Sequence, residues 1–152
     1  MENREEYYFS GFPRTPFEVF TVIYGVLFIN LFDCLFPRIL GYHLLLLIVY
    51  VAPYIPLFFM RKINLYNLIW IGVLISLFND LFFFFIARLL GARNFELLWY
   101  YSNWLIPQTT YLGLWDFLFF KLKVYSWTMA TSIYARIVFL WLTKNWRPEM
   151  IS

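Results

Sequence analysis

The sequence predicts an all-α, polytopic transmembrane bundle of about five spans. Three observations carry that prediction. Of 152 residues, 62% are apolar and 14% charged, against about 45–50% and about 25% in a soluble domain. Apolar runs close to the ~20 residues needed to cross a bilayer as helix recur along the chain. The roughly ten-residue alternation of a membrane barrel strand is absent.

Residues 1–15 read as an exposed or interfacial arm. They are acidic and aromatic and lead into a long apolar run, without the basic start and small-residue site of a cleaved signal peptide. The first span covers residues 17–36, opened by Pro16, which suits a first helical turn. Pro37, Arg38 and Gly41 make a short connection to the second span, residues 41–60, which Pro53 and Pro56 kink and Arg61-Lys62 ends. The third, residues 65–90, is long enough to tilt and stops at Gly91-Ala92-Arg93-Asn94. The fourth covers residues 97–120 and is interrupted at Pro107; the fifth covers residues 124–142, closed by Lys144 and Arg147. Residues 16–143 thus form one transmembrane domain, and residues 144–152 a polar tail.

Lys121-Leu122-Lys123 leaves very little chain to turn between the fourth and fifth spans. Either the helices unwind there or the last segment lies in the interface. The recurrence of Thr128, Ser132 and Arg136 every four residues favours a span, with that stripe toward the bundle and Ile133, Ile137 and Leu140 toward lipid. Trp99, Tyr100, Tyr101 and Trp104 read as one interfacial belt with Trp141 and Trp146, and Trp115, Tyr125 and Trp127 as the other. The sequence has no GxxxG, so close helix packing is confined to Gly72-Ser76 and Ala87-Gly91.

The net charge is +3, but the basic residues are scattered through short gaps. That suits membrane flanks and not a nucleic-acid face, which needs clustered Lys and Arg. In the five-span arrangement Arg4, Arg14, Arg61, Lys62, Lys121 and Lys123 face one side, and Arg38, Arg88, Arg93, Lys144 and Arg147 the other. That split is too even to orient the chain.

Cys34 and His43 are each the only residue of their kind. That excludes an intrachain disulfide, a zinc knuckle, a bis-His haem and a multi-His metal cluster built by this chain alone. GxGxxG, P-loop, GxSxG and HExxH patterns are missing. No cofactor is expected from the chain alone, and the balance points away from an enzyme.

The informative residues are the polar ones in apolar surroundings, since a charge at mid-helix costs about 2.5–3.5 kcal/mol on insertion scales. Asp33, His43, Asp80, Arg88, Glu96 and Arg136 fall in one leaflet half; Asp116 falls on the other side, near Lys121. Gly72, Ser76, Asp80 and Arg88 share one helix face, beside Asn79; Asn30, Asp33 and Cys34 share another. Those two faces and the Thr128 stripe are expected to meet. The expected pairs are Asp80 with Arg136, Asp33 with His43, and Asp116 with Lys121.

Asp80 with Arg136 reads first as an ion pair that fixes packing. A proton or ion relay, or a polar substrate site, is the alternative. Asp33 with His43 is either a proton-transfer pair or a histidine at headgroup level. The Pro107–Thr110 stretch is either a kink whose freed carbonyls the Thr hydroxyls satisfy, or a broken helix around a ligand. Phe82 to Phe85 read as bulk facing lipid or a partner.

The functional expectation is a small multi-pass protein of a cell membrane or an organelle inner membrane. It would serve as a non-catalytic accessory subunit beside other membrane subunits, or self-associate. The alternatives are a membrane-embedded enzyme acting on a lipid or isoprenoid, and a small proton or cation carrier. In either case Asp80, Asp33, His43 and Arg136 would carry the chemistry.

Overall fold

In the computed structural model, residues 15–91 and 96–148 are described; most of the N-terminal arm, Arg93 and the end of the tail lie outside them. Thr15 starts the first helix by a reciprocal cap. Its hydroxyl accepts the Glu18 N–H, and the Glu18 carboxylate accepts the Thr15 N–H. Three helices follow that are long and apolar enough to cross a membrane: α1 (Pro16–Leu35), α2 (Tyr42–Phe59) and α3 (Leu65–Leu89). At 1.5 Å per residue they run about 27–38 Å, against a hydrocarbon core of about 30 Å.

Neither α1 nor α2 is regular. In α1, Tyr24–Phe28 forms a π turn, in which the Ile29 N–H reaches back to the Tyr24 carbonyl. The Gly25 and Val26 carbonyls there accept the Asn30 carboxamide N–H, at 3.1 and 2.8 Å. Gly25 also lets α3 come close, since a Cβ at that position would lie 2.7 Å from Phe78. In α2 the chain tightens to a 3₁₀ turn over Ala52–Tyr54, because Pro53 and Pro56 supply no N–H.

Tyr42, Leu46, Tyr50 and Tyr54 recur at four- and eight-residue spacing along α2, and all four are buried. With Tyr24, Ile29, Ile71 and Ile75 they form the core between the three helices. Gly72 meets Val51, where a Cβ would stand 3.0 Å away. Gly91 sits at φ +63 with nothing near it, so it ends α3 and does not pack against another helix.

The second half departs from the five-span expectation. Residues 97–120 are not one helix. Helix α4 (Leu97–Leu105) stops at Ile106, which is extended (φ −103, ψ 122). Pro107 imposes that, because it disfavours helical backbone at the residue before it. Strands β1 (Tyr111–Asp116) and β2 (Lys121–Tyr125) then pair antiparallel, Tyr111 opposite Tyr125 and Asp116 opposite Lys121. The fold is therefore mostly helical with one small sheet, not all-α. Lys121-Leu122-Lys123 is strand and not an interhelical turn. Leu, Val, Trp and Tyr suit a half-buried pleated surface as well as they suit a lipid-facing helix.

Helix α5 (Ser126–Leu142) has 17 residues. Its first residues satisfy carbonyls in the extended stretch around Pro107. The Ser126 hydroxyl donates to Ile106, the Ser126 N–H to Thr110 and the Trp127 N–H to Gln108. The hydroxyls of Thr109 and Thr110 do not take that role.

This fold-back exchanges two sets of charges. The hairpin brings Lys121 and Lys123 to the end of the bundle that holds Arg38 and Gly41. Helix α5 carries Lys144 and Arg147 to the other end. There the Asn67 side chain donates to the Trp146 carbonyl at 2.6 Å, the Tyr66 and Trp146 rings pack at a tilt with centroids 4.8 Å apart, and Arg147 pairs with Glu18. Trp146 thus lies at the opposite end from the belt expected for it. Among the described residues, Arg61, Lys62, Lys144 and Arg147 now stand against Arg38, Arg88, Lys121 and Lys123, an even split that gives no orientation.

Two burial expectations also change. Ile133 is buried with Leu77, Val124 and Met129, and Leu140 packs on that cluster. Phe84 is buried against Tyr100 and Trp104. Helix α4 and the hairpin cover surfaces that a parallel bundle of spans would leave to lipid.

Candidate functional site

Asn79 ties the three long helices together, and its whole carboxamide is engaged. Its N–H groups donate to Asn30 at 3.1 Å and to Asp33 at 3.2 Å, and its oxygen accepts the Tyr50 hydroxyl at 2.8 Å. Asp33 is buried and also accepts from the Tyr42 hydroxyl and from Arg38, both at 2.6 Å. Arg38 lies over the Tyr42 ring, 4.1 Å from its centre. A buried amide and carboxylate of this kind are tolerated only because every partner is present. Tyr42 and Tyr50 escaped the sequence reading. The four-residue spacing of the α2 tyrosines was the available signal.

Asp80 and Arg136 meet across α3 and α5. Arg136 also donates through Nη1 to the Ser76 hydroxyl at 3.2 Å and through Nε to the Ser132 carbonyl at 3.1 Å. So the three polar faces do come together, with Asn79 as the residue that α1 engages and Asp80 as the one that α5 engages.

Asp33 and His43 do not form the expected pair. Arg38, carried just past Pro37, reaches back to Asp33. The His43 Nδ1 instead accepts the Asp116 backbone N–H at 2.9 Å, and its ring lies 5.9 Å from both Trp115 and Phe117. Asp116 is therefore at the His43 end of the bundle, not opposite it. Its carboxylate accepts the N–H of Leu118 at 2.9 Å and of Gly41 at 3.2 Å, with the Lys121 Nζ at 3.7 Å. The Leu118 N–H, then the Gly41 N–H and Lys121, hold its carboxyl below the usual carboxylate range. This is a latch between the hairpin and the start of α2. Gly41 (φ +74) and Leu118 (φ 71) both adopt left-handed backbone there, and a Cβ on Gly41 would lie 2.9 Å from Leu118. Arg88 and Glu96 are exposed at the end of α3 and the start of α4, away from these contacts.

Between α2, α3, α4, α5 and the hairpin lies a cavity of about 740 Å³. Its lining mixes polar groups, Asp33, Arg38, His43, Asn79, Asp80 and Arg136, with aromatic ones, Phe83, Phe84, Trp99, Trp104 and Trp115. No family model, curated protein or solved structure matches this chain. The site is read from its own chemistry. Its volume is within the ~300–1,000 Å³ of small-molecule sites. Mostly apolar walls with a few convergent polar groups suit a molecule with a greasy body and a small polar head. Among the described residues, no group of three or more His, Cys, Asp or Glu is placed to hold a metal ion.

Proposed function

We propose that this chain is a small multi-pass membrane protein that binds an amphipathic lipid-class molecule, a lipid or an isoprenoid, in the cavity beneath the hairpin. The observation that carries the reading is the cavity itself, whose lining combines aromatic rings with the Asp33 and Asp80 clusters. The reading is binding. Arg38, Tyr42 and Asn79 hold Asp33, and Arg136 holds Asp80, so both carboxylates are fixed parts of the cavity wall.

Native mass spectrometry of the protein released from a mild detergent tests this. The expected result is a lipid-class adduct on the wild-type chain that disappears in Ser132→Phe, which adds bulk at the cavity wall. Absence of an adduct from wild type, or an undiminished adduct in a folded Ser132→Phe variant, contradicts it.

The accessory-subunit reading is supported by one specific feature. The hairpin tip presents Phe119 and Phe120, 84% and 59% exposed, beside the bundle end. On that reading a partner chain co-purifies in fixed proportion and is lost when both are changed to Asp. A wild-type protein that is stable as a monomer, with no partner chain, removes the support.

A further inference from the structure

We infer that the cavity takes an uncharged amphiphile whose head is a planar ring bearing carbonyl oxygens, the chemistry of an isoprenoid quinone. This rests on the lipid-class reading above and names the ligand within it.

Charge comes first. Three carboxylates line the cavity, and each already faces a cation: Asp33 faces Arg38, Asp80 faces Arg136 and Asp116 faces Lys121. Beside Asp80 and Arg136, each 17% exposed, a head carrying its own charge would find no counter-charge left, and an unmatched buried charge is strongly penalised. The head is therefore neutral.

Hydrogen bonding comes second, and it is lopsided. Both Asp33 oxygens and the Asn79 oxygen are engaged as acceptors, and Arg136 takes one oxygen of Asp80. That leaves the Asp80 Oδ1 as a spare acceptor, and spare donors outnumber it. An arginine has five N–H groups, and Arg136 gives one each to Ser132, Ser76 and Asp80. Since the His43 Nδ1 accepts from the Asp116 N–H, the neutral imidazole carries its proton on Nε2. No acceptor for that Nε2 proton is found among the described residues. The indole N–H of Trp104, a residue that also lines the cavity, is buried without an acceptor. Spare donors that outnumber the spare acceptors call for a head with acceptor oxygens, which carbonyls supply.

Shape comes third. Phe83, Trp99, Trp104 and Trp115 offer flat faces on which a ring stacks or meets edge to face. Leu47 lines the cavity yet is 48% exposed. The cavity thus reaches the outer, lipid-facing surface there, and an apolar tail can leave along that path.

Tryptophan quenching in lipid nanodiscs tests the inference with three probes: a decyl-chain benzoquinone, dioctanoylglycerol (ester carbonyls without a ring) and farnesyl phosphate (an anionic head). The cavity-filled Ser132→Phe variant gives the quenching due to partition into the lipid. The expected result is saturable quinone quenching above that background, at least about tenfold tighter than either other probe. His43→Phe should weaken it about three- to tenfold, the worth of a neutral hydrogen bond. His43→Gln, which keeps an N–H donor, should weaken it less, and Trp127→Phe, exposed on α5, should not change it. Farnesyl phosphate binding as tightly as the quinone overturns the charge argument, and tighter binding of dioctanoylglycerol overturns the ring. Equal quinone affinity in wild type and a folded His43→Phe overturns the donor assignment. In each of those cases the lipid-class reading survives. If no probe distinguishes wild type from Ser132→Phe, and no adduct is seen by mass spectrometry, that reading falls as well.

Discussion

The two halves of this chain are both rich in apolar residues and yet fold differently. Residues 16–89 make three membrane-length helices stitched by buried polar side chains. Residues 97–142 make one short helix, a hairpin and one 17-residue helix. The first half holds itself together through Asn79; the second is held to the first through the Asp80–Arg136 pair and the Asp116 latch. The contrast teaches that apolar composition identifies the solvent but not the backbone conformation. A two-stranded hairpin pairs only its inward-facing backbone groups, so unlike a helix it needs water or other elements at its two edges, and here it sits at the end of the bundle.

The comparison can be broken in order of expected effect. Asp80→Leu leaves Arg136 without its counter-charge where the halves meet, and should cost about 3–5 kcal/mol. Adding Arg136→Leu should return most of that loss, measured as thermal unfolding in detergent. An additive double mutant would mean that the pair does not join the halves. Next, Gly25→Ala pushes a methyl group toward Phe78 within the first half and should cost about 1–3 kcal/mol, visible in the same assay. An unchanged midpoint would deny the close approach of α1 and α3.

The smallest effect belongs to the latch. The folded Asp116 carboxyl titrates below its ordinary value of 3.8, so its anion favours the docked hairpin at neutral pH. That contribution is lost as pH falls through the depressed value, below about pH 4. Trp115 emission should shift there in wild type and lose that step in Asp116→Asn. An identical step in the variant would assign the titration to another group.

Much of the first half was legible. Bilayer-length runs, the Pro16 start, the Pro53 and Pro56 interruption and the Asp80–Arg136 meeting all follow from spacing and from the cost of unpaired charge. The π turn at Tyr24–Phe28 was not, because the apolar residues there are ordinary helix formers and the widened turn answers to Asn30 and to packing on α3. The hairpin left a faint trace in Lys121-Leu122-Lys123-Val124-Tyr125, which alternates with period two. That trace was outweighed by a continuous hydrophobic window. The His43 partner was out of reach for the same reason, since a wrong turn at Pro107 places Asp116 at the wrong end of the molecule.

The fold-back is therefore the claim on which the cavity, its ligand and the latch all depend, and sidedness tests it most directly. In a Cys34→Ser background, single cysteines at Leu40, Lys62 and Lys121 can be reacted with a membrane-impermeant maleimide in sealed proteoliposomes. The structure predicts that Lys121→Cys labels from the same side as Leu40→Cys, and from the side opposite Lys62→Cys. Labelling of Lys121→Cys together with Lys62→Cys would restore a continuous fourth span and contradict the account.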